Sequence, residues 1–189
     1  MIIKEKNMYY EFLAPGFEEI ETIATLDIMR RAGIDVRTVG IGSRTVTGSH
    51  GIPVTADISE PEVDFDAAEG MILPGGMPGT LGLERSKTVG KMLSAANEKG
   101  LLIAAICAAP SILGHKGLLK GKNAVCFEGF EDQLTGANVL NKAAVCDGNI
   151  ITACGAGAAL EFGFMIVKYI KGGAAAEHLR ASMLCGRTI

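Results

Sequence analysis

The chain has 189 residues, 48% hydrophobic and 21% charged, which is the composition of a globular protein and not of a disordered one. One domain, spanning residues 1–189, is expected at this length. The net charge is −3 and no stretch interleaves Lys or Arg with aromatic residues, which argues against dedicated nucleic-acid binding. The most apolar stretch, 160–170, is interrupted by charges and is shorter than the roughly 20 residues of a membrane span.

Strand-like and helix-like segments alternate along the chain. Strands are predicted at 9–13, 34–41, 71–73, 101–106, 124–126 and 150–152, with a small hairpin within 42–55. Helices are predicted at 18–32, 86–99, 110–116, 158–170 and 174–184. This alternation predicts an α/β fold in which helices cover both faces of a mainly parallel sheet. Ligands bind such sheets at the carboxyl ends of the strands, so the chemistry is expected there.

The cysteines do not indicate a metal site or a disulfide framework. There are five, none in a CxxC pair, and only three histidines are available as further ligands. The amino-terminal residues lack both the apolar core of a signal peptide and the arginines of a transit peptide. We therefore expect a cytoplasmic protein with reduced thiols.

Cys107 is the candidate nucleophile. It follows the apolar run 101–106 and precedes Ala108-Ala109-Pro110, where the chain must turn sharply into a helix, as in a nucleophile elbow. The helix N–H groups favour a thiolate, so we expect a lowered pKa and a thiol reactive toward electrophiles and oxidants. A buried core thiol is the alternative. The remaining cysteines lack this context and are interpreted as core or surface residues: Cys126, Cys146, Cys154 and Cys185.

Glu21 is the candidate proton carrier. It shares a mostly apolar helix face with Ala24, Thr25 and Ile28, which is an unusual place for a charge. Burial favours the neutral carboxyl, which can donate a hydrogen bond to a thiolate and move protons during a reaction. The two groups would titrate as a coupled pair. A structural role for Glu21 is the alternative.

Gly75 and Gly76 follow the predicted strand 71–73. Without a Cβ, their backbone N–H groups can approach a bound atom closely. Together with the N–H of Ala108, they could form an oxyanion hole for a carbonyl attacked by sulfur. An ordinary turn after a strand is the alternative.

Four segments carry a resemblance to a known family. They are APGFEEIETIATLDIMRRAG (14–33), ILPGGMPG (72–79), IAAICAAPSIL (103–113) and TACGAGAALEFGFMIV (152–167). In this order the chain resembles the ThiJ/PfpI family, in the branch of the Parkinson-disease-associated protein deglycase and its bacterial relatives. The resemblance implies a flavodoxin-like three-layer sandwich, of the class I glutamine-amidotransferase-like type, and a homodimer. It also implies a reactive Cys107, a protonated Glu21 and oxyanion donors at Gly75 and Ala108, with no metal and no cofactor.

Two cations are candidates for contacts with a partner subunit. In the resemblance, Arg31 corresponds to an arginine near the partner's cysteine, and His50 lies where relatives carry a second arginine. A cation there would bind an oxyanion or a sulfinate and favour the thiolate. A solvated helix-end charge and a hairpin-loop residue are the alternatives.

One departure from the resemblance concerns histidine. Relatives with better-supported glyoxalase activity carry a histidine after the elbow helix, where this chain reads Val125-Cys126-Phe127-Glu128. His115 is expected to face solvent, and Glu128 is a weak substitute. Proton transfer would then fall to Glu21 and water, so we expect slow turnover.

Two functions are compatible with these residues. The first is a cofactor-independent glyoxalase or deglycase, in which Cys107 adds to a small reactive aldehyde. The second is a redox sensor or chaperone in which Cys107 is oxidised to a sulfenic or sulfinic acid that accepts a hydrogen bond from Glu21. A peptidase or amidase is less favoured because no histidine is placed to pair with Cys107, and a role related to thiamine-thiazole synthesis is also less favoured.

Overall fold

The computed structural model describes residues 8–186. Within them the strands are β1 (Met8–Leu13), β2 (Val36–Gly40), β3 (Thr45–Thr47), β4 (Pro53–Thr55), β5 (Ile58–Ser59), β6 (Ala68–Leu73), β7 (Leu102–Ile106), β8 (Asn123–Ala124), β9 (Asn138–Val139), β10 (Ala144–Asp147) and β11 (Ile150–Ala153). The helices are α1 (Glu19–Arg31), α2 (Gly79–Arg85), α3 (Lys87–Lys99), α4 (Pro110–His115), α5 (Ala159–Lys171) and α6 (Gly173–Ser182). Single 3-10 turns occur at Glu60–Glu62, Glu131–Gln133 and Ala156–Ala158.

The central sheet has the strand order β10-β11-β7-β6-β1-β2-β5. Its neighbouring strands are parallel except for β10, which runs antiparallel to β11 at one edge. One apolar cluster packs α1 and α5 against the first face, with Ile28 and Phe162 fully buried. A second cluster packs α3 and α4 against the other face, with Met92 and Ile112 fully buried. The predicted sheet with helices on both faces is confirmed.

Local signals set the predicted helix ends. The Ser86 hydroxyl accepts a hydrogen bond from the Val89 N–H at 3.2 Å and begins α3. Gly100 ends the same helix with a φ of 65°, a left-handed conformation that glycine adopts without steric penalty. The hairpin is also confirmed, since β3 and β4 pair antiparallel apart from the central sheet.

The structure differs from the sequence expectation in several elements, among them the short strands β5 and β9, which were not predicted. Helix α2 was not predicted, because two glycines weaken its helical signal. The edge strand β10 was also missed. The strand expected at 124–126 contributes only β8, which pairs with β9 outside the central sheet. The Val125 N–H instead donates to the hydroxyl of Thr152 at 3.0 Å.

Between residues 8 and 186, the longest helices have 13 residues, and none is long and apolar enough to cross a membrane.

Candidate active site

Cys107 lies at the carboxyl end of β7 in a left-handed backbone conformation. Its φ is 65°, which is unusual for a residue with a side chain. Two hydrogen bonds hold this turn: the Cys107 N–H donates to the Ala153 carbonyl at 2.9 Å, and the Cys107 carbonyl accepts from the Phe127 N–H at 2.8 Å. Helix α4 begins three residues later with Pro110. The structure therefore contains the nucleophile elbow that the sequence predicts.

Glu21 lies in the first turn of α1, and only 1% of its surface is exposed. Its Oε2 accepts a hydrogen bond from the Gly75 N–H at 2.8 Å. Its Oε1 is buried and has no hydrogen-bond partner among residues 8–186. Burial raises the pKa of Glu21 to about 7, although the Gly75 N–H and the nearby Cys107 thiol act in the opposite direction. The predicted preference for a neutral carboxyl is confirmed in direction.

The prediction of a lowered pKa for Cys107 is wrong. Burial raises the pKa of this thiol to about 12, and the negative charge of ionised Glu21 adds to the increase. The backbone N–H groups of Ala108 and Gly76 do lower the pKa, as expected of the elbow, but they are outweighed. Burial therefore favours the protonated thiol, and Glu21 is the group beside it that can accept a proton.

Gly75 fits between the two reactive side chains. A Cβ there would lie 2.6 Å from the Cys107 Cβ and 2.8 Å from the Glu21 Oε2, so a larger residue would displace both. The Gly75 N–H is already bonded to Glu21, and we therefore assign it to holding the carboxyl and not to the oxyanion hole. The N–H groups of Gly76 and Ala108 both act on the Cys107 sulfur and remain the candidate oxyanion donors.

Glu18 is a positioning residue at the start of α1. Its Oε2 accepts a hydrogen bond from the Glu21 N–H at 2.7 Å and caps α1. Its carbonyl accepts from the hydroxyl of Thr22 at 2.9 Å. Gly76 must lack a side chain here as well, because a Cβ would lie 2.5 Å from the Glu18 nitrogen. The start of α1 and the loop after β6 therefore pack closely against each other.

Phe127 lies in the segment where some relatives carry a histidine that this chain lacks. Its Cδ2 lies 3.2 Å from the position that a Cβ on Gly155 would take, and the Cys107 sulfur lies 4.0 Å from the same position. The phenyl ring is 49% exposed, so it borders the site from the solvent side. His115 instead binds the Glu84 carboxylate at 2.6 Å, and the exposed Glu128 lines a separate cleft. An apolar ring, and not an imidazole, therefore lies against Gly155 at the edge of the site.

Arg31 and His50 have partners within the same chain. The Arg31 Nε lies 2.6 Å from an Asp27 carboxylate oxygen, in an exposed pair on α1. The His50 Nδ1 lies 2.9 Å from the Glu19 Oε2, and the His50 N–H donates to the Glu19 Oε1 at 2.7 Å. Burial alone would raise the pKa of Glu19, but these bonds hold it at about 2. The contacts of Arg31 and His50 with a partner subunit, and the homodimer itself, stay predictions.

Three side chains could approach a metal ion together. Ligand atoms of Glu18, Glu19 and His50 lie within 4.8 Å of one another. The carboxylates are already engaged, since Glu18 caps α1 and Glu19 accepts bonds from the His50 backbone and ring. The carboxylate oxygens of this cluster are thus already satisfied by hydrogen bonds to other protein groups.

Comparison with known proteins establishes the family. The model of the DJ-1/PfpI family matches residues 10–169, which is most of the chain. The chain belongs to the DJ-1/PfpI family. Protein dj-1beta of Drosophila melanogaster is 39% identical over 163 residues, which cover 85% of this chain and 87% of that protein. The solved structure of oxidised DJ-1 from Toxoplasma gondii, a DJ-1/PfpI protein of the same fold, superposes with a TM-score of 0.91 at 30% identity and covers 95% of this chain and 99% of that one. The predicted family and its flavodoxin-like fold are confirmed.

Two DJ-1/PfpI relatives carry names that state an activity. The glutathione-independent glyoxalase DJR-1.2 of Caenorhabditis elegans is 32% identical, with 82% of this chain and 83% of that protein aligned. The deglycase TK1284 of Thermococcus kodakarensis is 31% identical, with 74% and 85% aligned.

Proposed function

We propose that the protein converts small α-oxoaldehydes, such as methylglyoxal, to 2-hydroxy acids without a cofactor. Cys107 is the nucleophile and Glu21 carries the protons. The observation that carries this proposal is the buried Glu21 carboxyl, whose Oε1 has no partner among the described residues and which lies beside the Cys107 thiol. Its pKa of about 7 suits a group that must both accept and return a proton near neutral pH. The glyoxalase and deglycase relatives support the substrate class.

The first step is addition of the thiol to the aldehyde. A bond forms between the Cys107 sulfur and the aldehyde carbon while the thiol proton moves to the Glu21 carboxylate. Because the thiol has a pKa of about 12, attack and proton transfer must be coupled in time. The electron pair of the carbonyl moves to its oxygen, where the N–H groups of Gly76 and Ala108 stabilise the negative charge.

The second stage moves hydrogen from the aldehyde carbon to the neighbouring carbonyl carbon. Glu21 first passes the thiol proton to the alkoxide, which gives the hemithioacetal, and its carboxylate then removes the proton on the first carbon. Glu21 returns that proton to the second carbon while the hydroxyl proton on the first carbon's oxygen moves to the second oxygen, which converts the hemithioacetal to the thioester of a 2-hydroxy acid with no external oxidant. Water then cleaves the thioester, and Cys107 regains its proton as the acid leaves. Phe127 offers no proton at this point, so one carboxyl group serves every transfer. Slow turnover is therefore part of the proposal.

The test is lactate formation from methylglyoxal by the wild type and by Cys107→Ala. We expect loss of at least about 100-fold for Cys107→Ala, because covalent catalysis is removed. Cys146→Ala is the matched control, since Cys146 is an exposed thiol on the edge strand β10, and it should keep the wild-type rate. Equal rates for wild type and Cys107→Ala, or no lactate from either, would refute the proposal.

A second candidate function is oxidation sensing at the same sulfur. The unpartnered Glu21 Oε1 could donate a hydrogen bond to an oxygen added to Cys107, and a solved neighbour is an oxidised DJ-1 protein. Mass spectrometry after mild peroxide should then find added oxygen on Cys107 before the other four thiols. Oxidation spread evenly over all five cysteines would contradict selective sensing.

A further inference from the structure

Cys107 and Cys154 occupy equivalent positions at the ends of two neighbouring strands. Cys107 follows β7 and Cys154 follows β11, and these strands are parallel. Their last register pair is Ile106 with Ala153. The Cys107 N–H still donates to the Ala153 carbonyl at 2.9 Å, so the ladder extends to the residue after β7. The next pair across the two strands is therefore Cys107 with Cys154.

The spacing expected for such a pair matches what a disulfide requires. Neighbouring strands lie about 4.7–4.9 Å apart. Disulfides join residues whose Cα atoms are about 4.4–6.8 Å apart. The Cys107 sulfur lies 4.0 Å from the position that a Cβ on Gly155 would take. Gly155 is the residue after Cys154, so the sulfur is on the side of the site where β11 ends. Both cysteines are free, partly exposed and packed against the same apolar cluster.

The other thiols lack this relation to Cys107. Cys126 is buried in the apolar cluster on the opposite face of the sheet. Cys146 lies on β10, paired with Ile151, which is three residues before Cys154. Cys185 follows α6 near the end of the described residues. Position thus favours a single partner for Cys107.

We propose that Cys154 is the resolving thiol of Cys107, so that oxidation by a peroxide closes an intramolecular disulfide between the two. In the first step the Cys107 sulfur attacks one peroxide oxygen: the O–O bond breaks, an S–O bond forms, and the peroxide is reduced to water or an alcohol. The thiol proton passes through Glu21. In the second step the Cys154 sulfur attacks the sulfenic sulfur, an S–S bond forms and the S–O bond breaks. The departing oxygen takes the Cys154 proton and leaves as water.

The disulfide has two consequences for the site. It stops Cys107 before the sulfinic acid, which is irreversible in the absence of a dedicated reductase. It also removes the nucleophile while the bond lasts, so a thiol reductant restores it. This inference does not rest on the aldehyde chemistry, because thiol mapping reads the bond directly.

The experiment is peptide mapping of the whole protein after graded hydrogen peroxide and alkylation of the remaining thiols. Trypsin alone leaves Cys146 and Cys154 in one peptide, 143–168, so Asp-N is added to cleave before Asp147. The wild type should yield a linked pair of peptides containing Cys107 and Cys154, which dithiothreitol separates. Cys126→Ser, the matched control, should give the same linked pair.

The Cys154→Ser variant supplies the contrast. Without the resolving thiol, we expect about tenfold more sulfinic acid on Cys107 at the same peroxide dose. Its far-UV circular dichroism should match the wild type, and Cys154→Ala replaces it if folding is impaired. The proposal is overturned if the wild type gives no linked pair while Cys107 reaches the sulfinic acid as fast as in the variant.

Discussion

The two most deeply buried glutamates among residues 8–186 differ in one respect, since only one of them is placed to do chemistry. Glu21 and Glu11 are 1% and 0% exposed, and burial raises the pKa of both. The Glu21 carboxyl accepts a hydrogen bond from Gly75 and lies beside Cys107. Glu11 lies within β1, and neither of its oxygens has a hydrogen-bond partner among residues 8–186. A raised carboxyl pKa therefore indicates only that the group is buried. The nucleophile beside Glu21 is what indicates a function.

The largest expected effect is a difference in catalytic activity between variants of Glu21 and variants of Glu11. Glu21→Gln keeps the shape of the side chain and can still accept the Gly75 hydrogen bond, but it cannot accept a proton. We expect methylglyoxal turnover to fall about 1000-fold, within the range of general acid–base contributions. Glu11→Gln is the matched control and should retain turnover within about threefold, because the side chain lies away from the reacting atoms. Lactate formation at pH 7.5 is the measurement.

Similar losses in both variants would contradict the distinction, since they would point to a shared structural effect. Retained turnover in Glu21→Gln would remove this residue from the mechanism and leave Cys107 with water as its proton acceptor.

Most of the fold could be predicted from the sequence, because hydrophobic periodicity and end signals such as Ser86 and Gly100 act locally. Cys107 and Glu21 were found because each stands out against its own element, a thiol after a buried strand and a charge on an apolar helix face. The pKa of Cys107 could not be predicted. It depends on burial and on the Glu21 charge, which are set where the start of α1 meets the residues after β6 and β7.

The role of Gly75 in holding Glu21 could not be predicted for the same reason. Its N–H is bonded to a carboxylate 54 residues away in the chain, a contact that no local pattern reveals. Glu11 was overlooked altogether, although a carboxylate inside the run Met8–Leu13 breaks the apolar pattern of that strand. Sequence periodicity shows that such a residue is unusual, but only the three-dimensional arrangement shows whether a nucleophile lies beside it.

The next effect concerns stability as a function of pH. Glu21 has a pKa of about 7 in the folded protein against an ordinary value of 4.5, so its contribution to stability is fully present below pH 4.5 and is lost as pH rises to about 7. That shift corresponds to about 3 kcal/mol. Relative to Glu21→Gln, the wild type should lose this amount between pH 4.5 and pH 8, as measured by urea unfolding. Parallel curves for the two proteins would mean that Glu21 ionises as freely in the fold as outside it.

The smallest expected effect tests Glu11 as a purely structural group. Glu11→Met replaces the unpaired carboxyl by an unbranched apolar side chain, and the free energy of unfolding at pH 8 should rise by about 2 kcal/mol, the penalty of an unsatisfied buried polar group. Since the folded pKa of Glu11 is raised, the wild type is relatively more stable at low pH, and the gain should shrink at pH 5. Urea unfolding at both pH values measures it, with the exposed Glu98→Met as a control expected within about 0.5 kcal/mol of wild type. If Glu11→Met is destabilised at both pH values, the carboxyl makes a stabilising contact in solution, and the two glutamates differ in more than their distance from Cys107.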